Sequence, residues 1–174
     1  MADSPGSRQE GHRSGGWVMD TEFVPGAFAL KDSELEDTTA LMFGRRNYEA
    51  FAAVWRDSDD HAAYADLPKY VVSTTLGEDG LYDGWGQTAI LRSSDEVAEL
   101  KRGEGGGIFL HGSAELARRL SDARLIDRYN LLVFPVLLGA GKSLSSRGDN
   151  DMRRLRESDS CSNGVTKLVY EVAS

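Results

Sequence analysis

Residues 108–120, IFLHGSAELARRL, change their hydrophobic period halfway along, and this change restricts the fold more than any other feature. The first four residues form a short apolar strand, and the turn that follows contains Gly112. After the turn, the apolar stripe of a helix recurs at i, i+3, i+4 and i+7: Ser113, Leu116, Ala117 and Leu120. A strand that becomes a helix through Gly-Ser points free backbone N–H groups at whatever lies above the turn. The stretch therefore predicts either an anion-binding turn or a simple helix start.

A second strand-to-helix joint has the same design. Residues 39–43, TALMF, are typical of a buried strand, and the chain passes through Gly44 into a helix that begins near Arg45. The apolar stripe of that helix is Tyr48, Phe51, Ala52 and Trp55. In an open α/β sheet, ligands lie outside the carboxyl ends of the strands, so the two joints together could hold a ligand with two phosphates. The alternative is that glycine eases each turn and that Arg45 and Arg46 are solvated.

The remaining segments alternate between strands and helices. Periodicity predicts a helix over 27–37, strands over 69–74 and 88–91, a helix over 94–101, and strands over 128–139 and 164–172. Ser93 and Ser94 are candidates for the N-cap of the helix that contains Glu96.

This alternation predicts an α/β fold, a three-layer sandwich with a mostly parallel central sheet. The last two apolar strands have no helix between them, so we expect an antiparallel C-terminal edge. Residues 1–16 are rich in Gly and Ser and are predicted to be a flexible segment, and residues 17–174 to be a single domain.

Composition excludes several classes of function. A net charge of -8 argues against binding to a nucleic-acid backbone or to an anionic membrane surface. No apolar run reaches the roughly 18 residues of a membrane span, and the polar N-terminus lacks the apolar region of a secretory signal. The single cysteine, Cys161, allows no intrachain disulfide. We therefore expect a cytoplasmic protein.

Three further features of the sequence do not indicate a phosphate loop, a metal site or a hydrolase. Residues 136–143, VLLGAGKS, resemble a phosphate loop, but the motif requires glycine where Val136 stands. The histidines His12, His61 and His111 are dispersed, so we predict no metal site. His111 ends a predicted strand beside Gly112, so it could contact a ligand, but the favoured interpretation is a structural residue. The chain has no G-x-S-x-G elbow and no histidine near Cys161, so nothing indicates a nucleophilic hydrolase.

The order of the motifs resembles the dihydrofolate reductase fold, specifically the riboflavin deaminase-reductase C-terminal (RibD C-terminal) domain. The stretches that carry the resemblance are LMFGRRNYEAF, LPKYVVSTTL, GGIFLHGSAELARRL, LIDRYNLLVFPVLLGAGKSL and the closing RRLRESDSCSNGVTKLVYE. The resemblance implies binding of NADPH, hydride transfer to a small heterocyclic substrate such as a pterin or a ribosylaminopyrimidine, and a homodimer.

The resemblance also implies which residues bind the cofactor. Two groups would contact its phosphates: Gly44, Arg45, Arg46 and Asn47 at the first joint, and Gly112, Ser113, Ala114 and Glu115 at the second. Two pairs would lie elsewhere: Ser73 and Thr74 near the adenosine ribose, and Leu138 and Gly139 near the nicotinamide. The acidic residues 22–37 do not single out a catalytic acid, so that residue stays unassigned.

The sequence departs from the family pattern at three points. Thr74 stands where many relatives carry a basic residue, and Ser113 replaces the second glycine of the usual pair. Residues 1–16 contain no strand like the one with which family members begin, a strand that lies inside their sheet, so we expect a gap or an altered pairing there. The alternative function is therefore a non-catalytic relative that binds a nucleotide or another small ligand.

Overall fold

The structure is a computed structural model that describes residues 15–22, 29–59, 62–144 and 153–172. The chain forms two compact units. One unit is residues 33–125, and the other holds the described residues before Ser33 and after Leu125. Residues 1–14 of the predicted flexible segment and the first two residues of the predicted helix 27–37 lie outside the described residues.

The larger unit is built on a four-stranded sheet in the order β3-β2-β1-β4, in which every pair is parallel. Its strands are β1 (Thr38–Gly44), β2 (Lys69–Val72), β3 (Thr88–Leu91) and β4 (Gly107–Leu110). The four successive residues 40–43 of β1 are all buried. Because neighbouring side chains of a strand point to opposite faces, both faces of this central strand are covered.

The described residues form five α-helices, one before β1 and four after it. They are α1 (Ala29–Asp37), α2 (Arg45–Trp55), α3 (Ala62–Ala65), α4 (Ser94–Arg102) and α5 (Ala114–Asp122). The predicted stripe of α2 is confirmed, since Tyr48, Ala52 and Trp55 are buried and Phe51 packs against the same core. The centre of that core is Leu41, Phe43, Tyr48, Val71 and Trp85.

The predicted start of α4 is also confirmed. Ser93 is the N-cap, and its Oγ accepts a hydrogen bond from the backbone N–H of Glu96 at 3.3 Å. The Glu96 carboxylate in turn accepts from the backbone N–H of Arg92 at 2.9 Å. These reciprocal bonds satisfy donors that a helix start otherwise leaves open.

A fully buried lysine lies at the start of β2. The Lys69 side chain is 0% exposed, and its Nζ donates to the carbonyl oxygens of Tyr64 at 3.0 Å, Ala65 at 2.9 Å and Leu67 at 2.8 Å. The same ammonium lies 4.6 Å from the centre of the Trp85 ring. Burial lowers the pKa of Lys69 to about 8, against an opposing effect of Asp66. Lys69 thus joins the end of α3 to the turn before β3.

The smaller unit contains a separate antiparallel sheet in the order β5-β7-β6. Its strands are β5 (Arg128–Val133), β6 (Arg153–Ser160) and β7 (Thr166–Val172), and β6 and β7 form a terminal hairpin. The α/β class with parallel and antiparallel strands is confirmed. The expectation that the antiparallel strands extend the parallel sheet is wrong, because β5 pairs with β7, and no described strand pairs with the outer edge of β4.

The predicted strand over 128–139 is too long. β5 ends at Val133, and the N–H of Val136 donates to the Phe134 carbonyl at 2.8 Å, which closes a tight turn. Pro135 has no N–H to offer to a sheet, so an apolar run alone does not continue the strand. Within this unit, the Phe134 ring packs edge-on against Trp17 at 5.0 Å.

Candidate functional site

Two strand-to-helix joints meet at the carboxyl edge of the parallel sheet. β1 and β4 are neighbours in register, with Met42 opposite Leu110, so the turns after them lie side by side. Ten of the twelve residues expected from the resemblance belong to the larger unit, where Gly44 ends β1 and the other nine come after β1, β2 or β4. The other two, Leu138 and Gly139, lie in the smaller unit after β5, where Gly139 has φ 69°.

A hydrogen bond connects the two joints directly. The backbone N–H of Gly44 donates to the Ser113 Oγ at 2.9 Å. Ser113 is 9% exposed and adopts the left-handed conformation, φ 54° and ψ 57°, which L residues rarely adopt. Its side chain does not cap its own helix, α5. Ser113, which replaces the second glycine, therefore uses its hydroxyl to bind the first joint at Gly44.

The backbone of Gly112 favours glycine, and its α-carbon lies close to a side chain of the first joint. Its φ is +65°, and a methyl group on its α-carbon would lie 2.6 Å from Asn47 Nδ2. The amide of Asn47, on α2, therefore covers the turn that leads into α5. This close approach is a second contact between the two joints.

The first turns of α2 and α5 are both left without a side-chain cap. Their backbone N–H groups and the positive ends of the two helix dipoles point out of the same edge of the sheet. Such a donor set suits an anion, and two such turns side by side suit a pyrophosphate. The donor set present thus fits the two-phosphate group of a dinucleotide.

The two arginines of the first joint differ in their surroundings. Arg45 is held by Glu49, with Nε 2.7 Å from a carboxylate oxygen, and by the Thr75 hydroxyl at 3.2 Å from a guanidinium nitrogen. Arg46 is exposed and forms no ion pair with any residue in the described ranges. Arg46 is therefore the more accessible cation of the pair.

The turn after β2 is organised by a serine and by an arginine that the sequence reasoning missed. The Ser73 Oγ accepts from the N–H groups of Thr75 at 3.2 Å and Leu76 at 3.0 Å, whereas Thr74 is exposed. Arg92 donates to the carbonyls of Ser73 at 2.9 Å and Leu76 at 2.7 Å. The signal for Arg92 is its place directly after a strand that ends at the same edge.

His111 belongs to the core around α2. Its ring packs against Phe51 at 4.9 Å, Trp55 at 5.0 Å and Phe109 at 5.3 Å, in each case close to edge-on. This arrangement supports the structural interpretation of His111. No group of three or more potential metal ligands occurs among the described residues, which do not include His12 and His61.

No helix in the described part of the chain combines the length and the apolar character that a bilayer span requires.

Known proteins share this fold. The chain is 20% identical to a protein from Shewanella sp. PV-4 described as a riboflavin biosynthesis protein, with a TM-score of 0.71 over 99% of this chain and 92% of that one. It is 11% identical to a pyrimidine reductase-like protein from Corynebacterium diphtheriae, with a TM-score of 0.53 over 79% and 77%. A third neighbour is dihydrofolate reductase from Enterococcus faecalis complexed with NADP(H), with 12% identity and a TM-score of 0.59 over 88% and 85%.

Sequence comparison assigns the family. The chain is 26% identical over 144 residues to the uncharacterized protein YyaP of Bacillus subtilis (strain 168), which covers 78% of this chain and 75% of that protein. The sequence model of the RibD C-terminal domain matches residues 5–167, nearly the whole chain. The protein belongs to the RibD C-terminal domain family.

Proposed function

We propose that the protein is an NADPH-dependent reductase that transfers a hydride to a pterin- or pyrimidine-like heterocycle. One observation carries the proposal: two uncapped helix starts lie side by side at the carboxyl edge of the sheet and are joined by the Gly44–Ser113 bond. Membership of the RibD C-terminal domain family supports the same chemistry, as does the structural likeness to a pyrimidine reductase-like protein and to a dihydrofolate reductase complexed with NADP(H).

In this proposal the residues of the larger unit hold the cofactor's phosphates. Donors come from the first turns of α2 and α5, which contain Arg45, Arg46 and Asn47, and Ala114 and Glu115. The exposed Arg46 adds a positive charge, and the turn of Ser73 and Thr74 lies near the adenosine ribose. The cofactor supplies the hydride, and these residues bind and orient it.

Binding is tested first by thermal unfolding with NADPH and, in parallel, with NADH. Ligand at 100-fold over its dissociation constant adds about 2.7 kcal/mol, which should raise the unfolding temperature by roughly 5–10 °C. A shift with NADPH and none with NADH supports the proposal. Equal shifts would show that Thr74, in the place of a basic residue, has removed the preference for the 2′-phosphate.

Arg46→Met tests the site itself. We expect NADPH binding to weaken by about 10- to 100-fold, because a charge-assisted contact to phosphate is lost. Arg118→Met is the matched control, since Arg118 is an exposed arginine further along α5, and it should bind NADPH as the wild type does. If Arg46→Met and Arg118→Met bound NADPH with the same affinity, the cofactor would bind away from Arg46.

Turnover separates the reductase from a non-catalytic nucleotide-binding relative. Thr74 and the engaged Arg45 favour that second function, because both reduce the free positive charge at the adenosine end. Loss of NADPH absorbance on addition of a dihydropterin or a ribosylaminopyrimidine supports the reductase. Binding of NADPH without turnover of any such substrate supports the second function, a non-catalytic protein that binds nucleotides.

Two further proposals concern the protein in the cell. We infer a homodimer from the resemblance and a cytoplasmic location from the single cysteine. Sedimentation of the purified protein tests the first, and fractionation of the source cells tests the second.

A further inference from the structure

Two serines of this chain stand at the N-cap of a helix and use their hydroxyl groups differently. Ser93 has an extended backbone and accepts from the N–H of Glu96 in its own helix. This is what an N-cap serine ordinarily does. Ser113 has a left-handed backbone, and its Oγ accepts from Gly44, 69 residues earlier in the chain. The difference lies in the backbone of the cap residue, because both side chains are the same.

The bond to Gly44 has two consequences at the edge of the sheet. It connects the N-cap residue of α2 to the N-cap residue of α5, so the distance between the two helix starts is fixed by one short contact of 2.9 Å. It also leaves the first turn of α5 without the cap that its own serine would supply. If the Ser113 hydroxyl capped α5, it would bond to backbone N–H groups of the first turn, which otherwise point out of the carboxyl edge of the sheet.

We propose that Ser113 is a positioning residue whose hydroxyl sets the spacing of the two helix starts and keeps the first turn of α5 open for a pyrophosphate. The inference rests on the proposed function, because the pyrophosphate is that of the dinucleotide. Ser113 acts through Gly44 and through the open turn. The same reasoning explains why a residue other than glycine is kept in a left-handed conformation here.

Two substitutions separate the hydroxyl from the backbone. Ser113→Ala removes the hydroxyl and keeps an L residue at φ 54°, whereas Ser113→Gly removes the hydroxyl and relieves the left-handed conformation. Ser113→Gly should therefore unfold at a higher temperature than Ser113→Ala. Both should bind NADPH about three- to tenfold more weakly than the wild type, the factor expected for one lost hydrogen bond. Affinity and stability would then change independently.

Ser93→Ala is the matched control, because it removes the hydroxyl of an N-cap serine that touches neither joint. It should lower the unfolding temperature and leave NADPH affinity unchanged. Amide exchange at Gly44, measured without ligand, should be faster in both Ser113 variants than in the wild type, which would confirm that the bond is lost.

Three outcomes would overturn the inference, and they are distinguishable. Wild-type affinity in both Ser113 variants would show that the hydroxyl is not needed. Restored affinity in Ser113→Gly alone would show that only the backbone matters. If the wild type itself binds no NADPH, the proposed function fails and the inference fails with it.

Discussion

Replacement of Lys69 by methionine tests how the larger unit is held together. Lys69 is fully buried, and its Nζ donates to three backbone carbonyls and lies over the ring of Trp85. Methionine fills a similar volume but donates no hydrogen bond. Lys69→Met therefore leaves three carbonyl oxygens without their donor and removes the cation from the ring.

The size of the effect follows from those contacts. A buried acceptor left without a partner costs about 1–3 kcal/mol, so three acceptors at the low end cost about 3 kcal/mol at pH 7. Lys101→Met is the control, because the Lys101 Nζ also donates to a carbonyl, that of Leu125 at 2.9 Å, but on the surface. We expect it to change the free energy of unfolding by less than about 0.5 kcal/mol.

The pH dependence provides a sharper test than the loss at a single pH. Burial lowers the pKa of Lys69 to about 8, and in the unfolded chain it returns to 10.5. Between these two values the unfolded chain binds more protons than the folded protein, so the contribution of Lys69 to stability rises as the pH rises. The difference of about 2.5 between the pKa values corresponds to at most about 3.4 kcal/mol.

Urea unfolding followed by tryptophan fluorescence at several pH values from 7 to 10.5 measures this contribution. The gap in stability between wild type and Lys69→Met should widen from pH 8 upward, because only the wild type carries the titrating amine. Because both proteins contain the same other lysines and tyrosines, the difference between their free energies of unfolding cancels the titration of those residues. A gap that stays constant or narrows over this range would refute the reasoning.

Three other substitutions give further predictions. Gly112→Ala should lower the free energy of unfolding by about 1–2 kcal/mol or more, because φ is +65° and the new methyl group would meet the Asn47 amide on α2. Calorimetry measures this loss of stability, and an unchanged unfolding temperature would contradict the prediction. Ser93→Ala should cost about 1 kcal/mol in urea unfolding, since the N–H of Glu96 loses its partner; no loss would show that the cap contributes nothing. Glu49→Gln should tighten NADPH binding by roughly two- to fivefold in a fluorescence titration, because the substitution frees Arg45 from its ion pair with Glu49. Weaker binding would contradict this prediction and show that the ion pair positions the Arg45 guanidinium for the phosphate.

Local patterns allowed the sequence to predict most of the elements around the site. The apolar run of β1 and the helical stripe of α2 meet at Gly44, and the corresponding change of period at Gly112 marks β4 and α5. The N-cap at Ser93 was equally visible, because a serine three residues before a glutamate is a local signal. Each of these features depends on neighbours within a few residues.

Local sequence patterns do not predict contacts between residues that are far apart in the chain. The use of the Ser113 hydroxyl depends on a residue on another strand, and nothing near Ser113 indicates a left-handed backbone. The contact of Arg45 with Thr75 spans 30 residues, so both arginines of the first joint looked equally free. The end of β5 at Val133 depends on which strand it pairs with, and the apolar run continued past it.

Amide hydrogen exchange with and without NADPH tests the central claim most directly, because it reports where the ligand lies. The account predicts slower exchange at two sets of backbone N–H groups that are distant in sequence, Arg45, Arg46 and Asn47 on α2, and Ala114 and Glu115 on α5. Binding of NADPH that leaves exchange at both helix starts unchanged would contradict the claim that these two joints form the cofactor site.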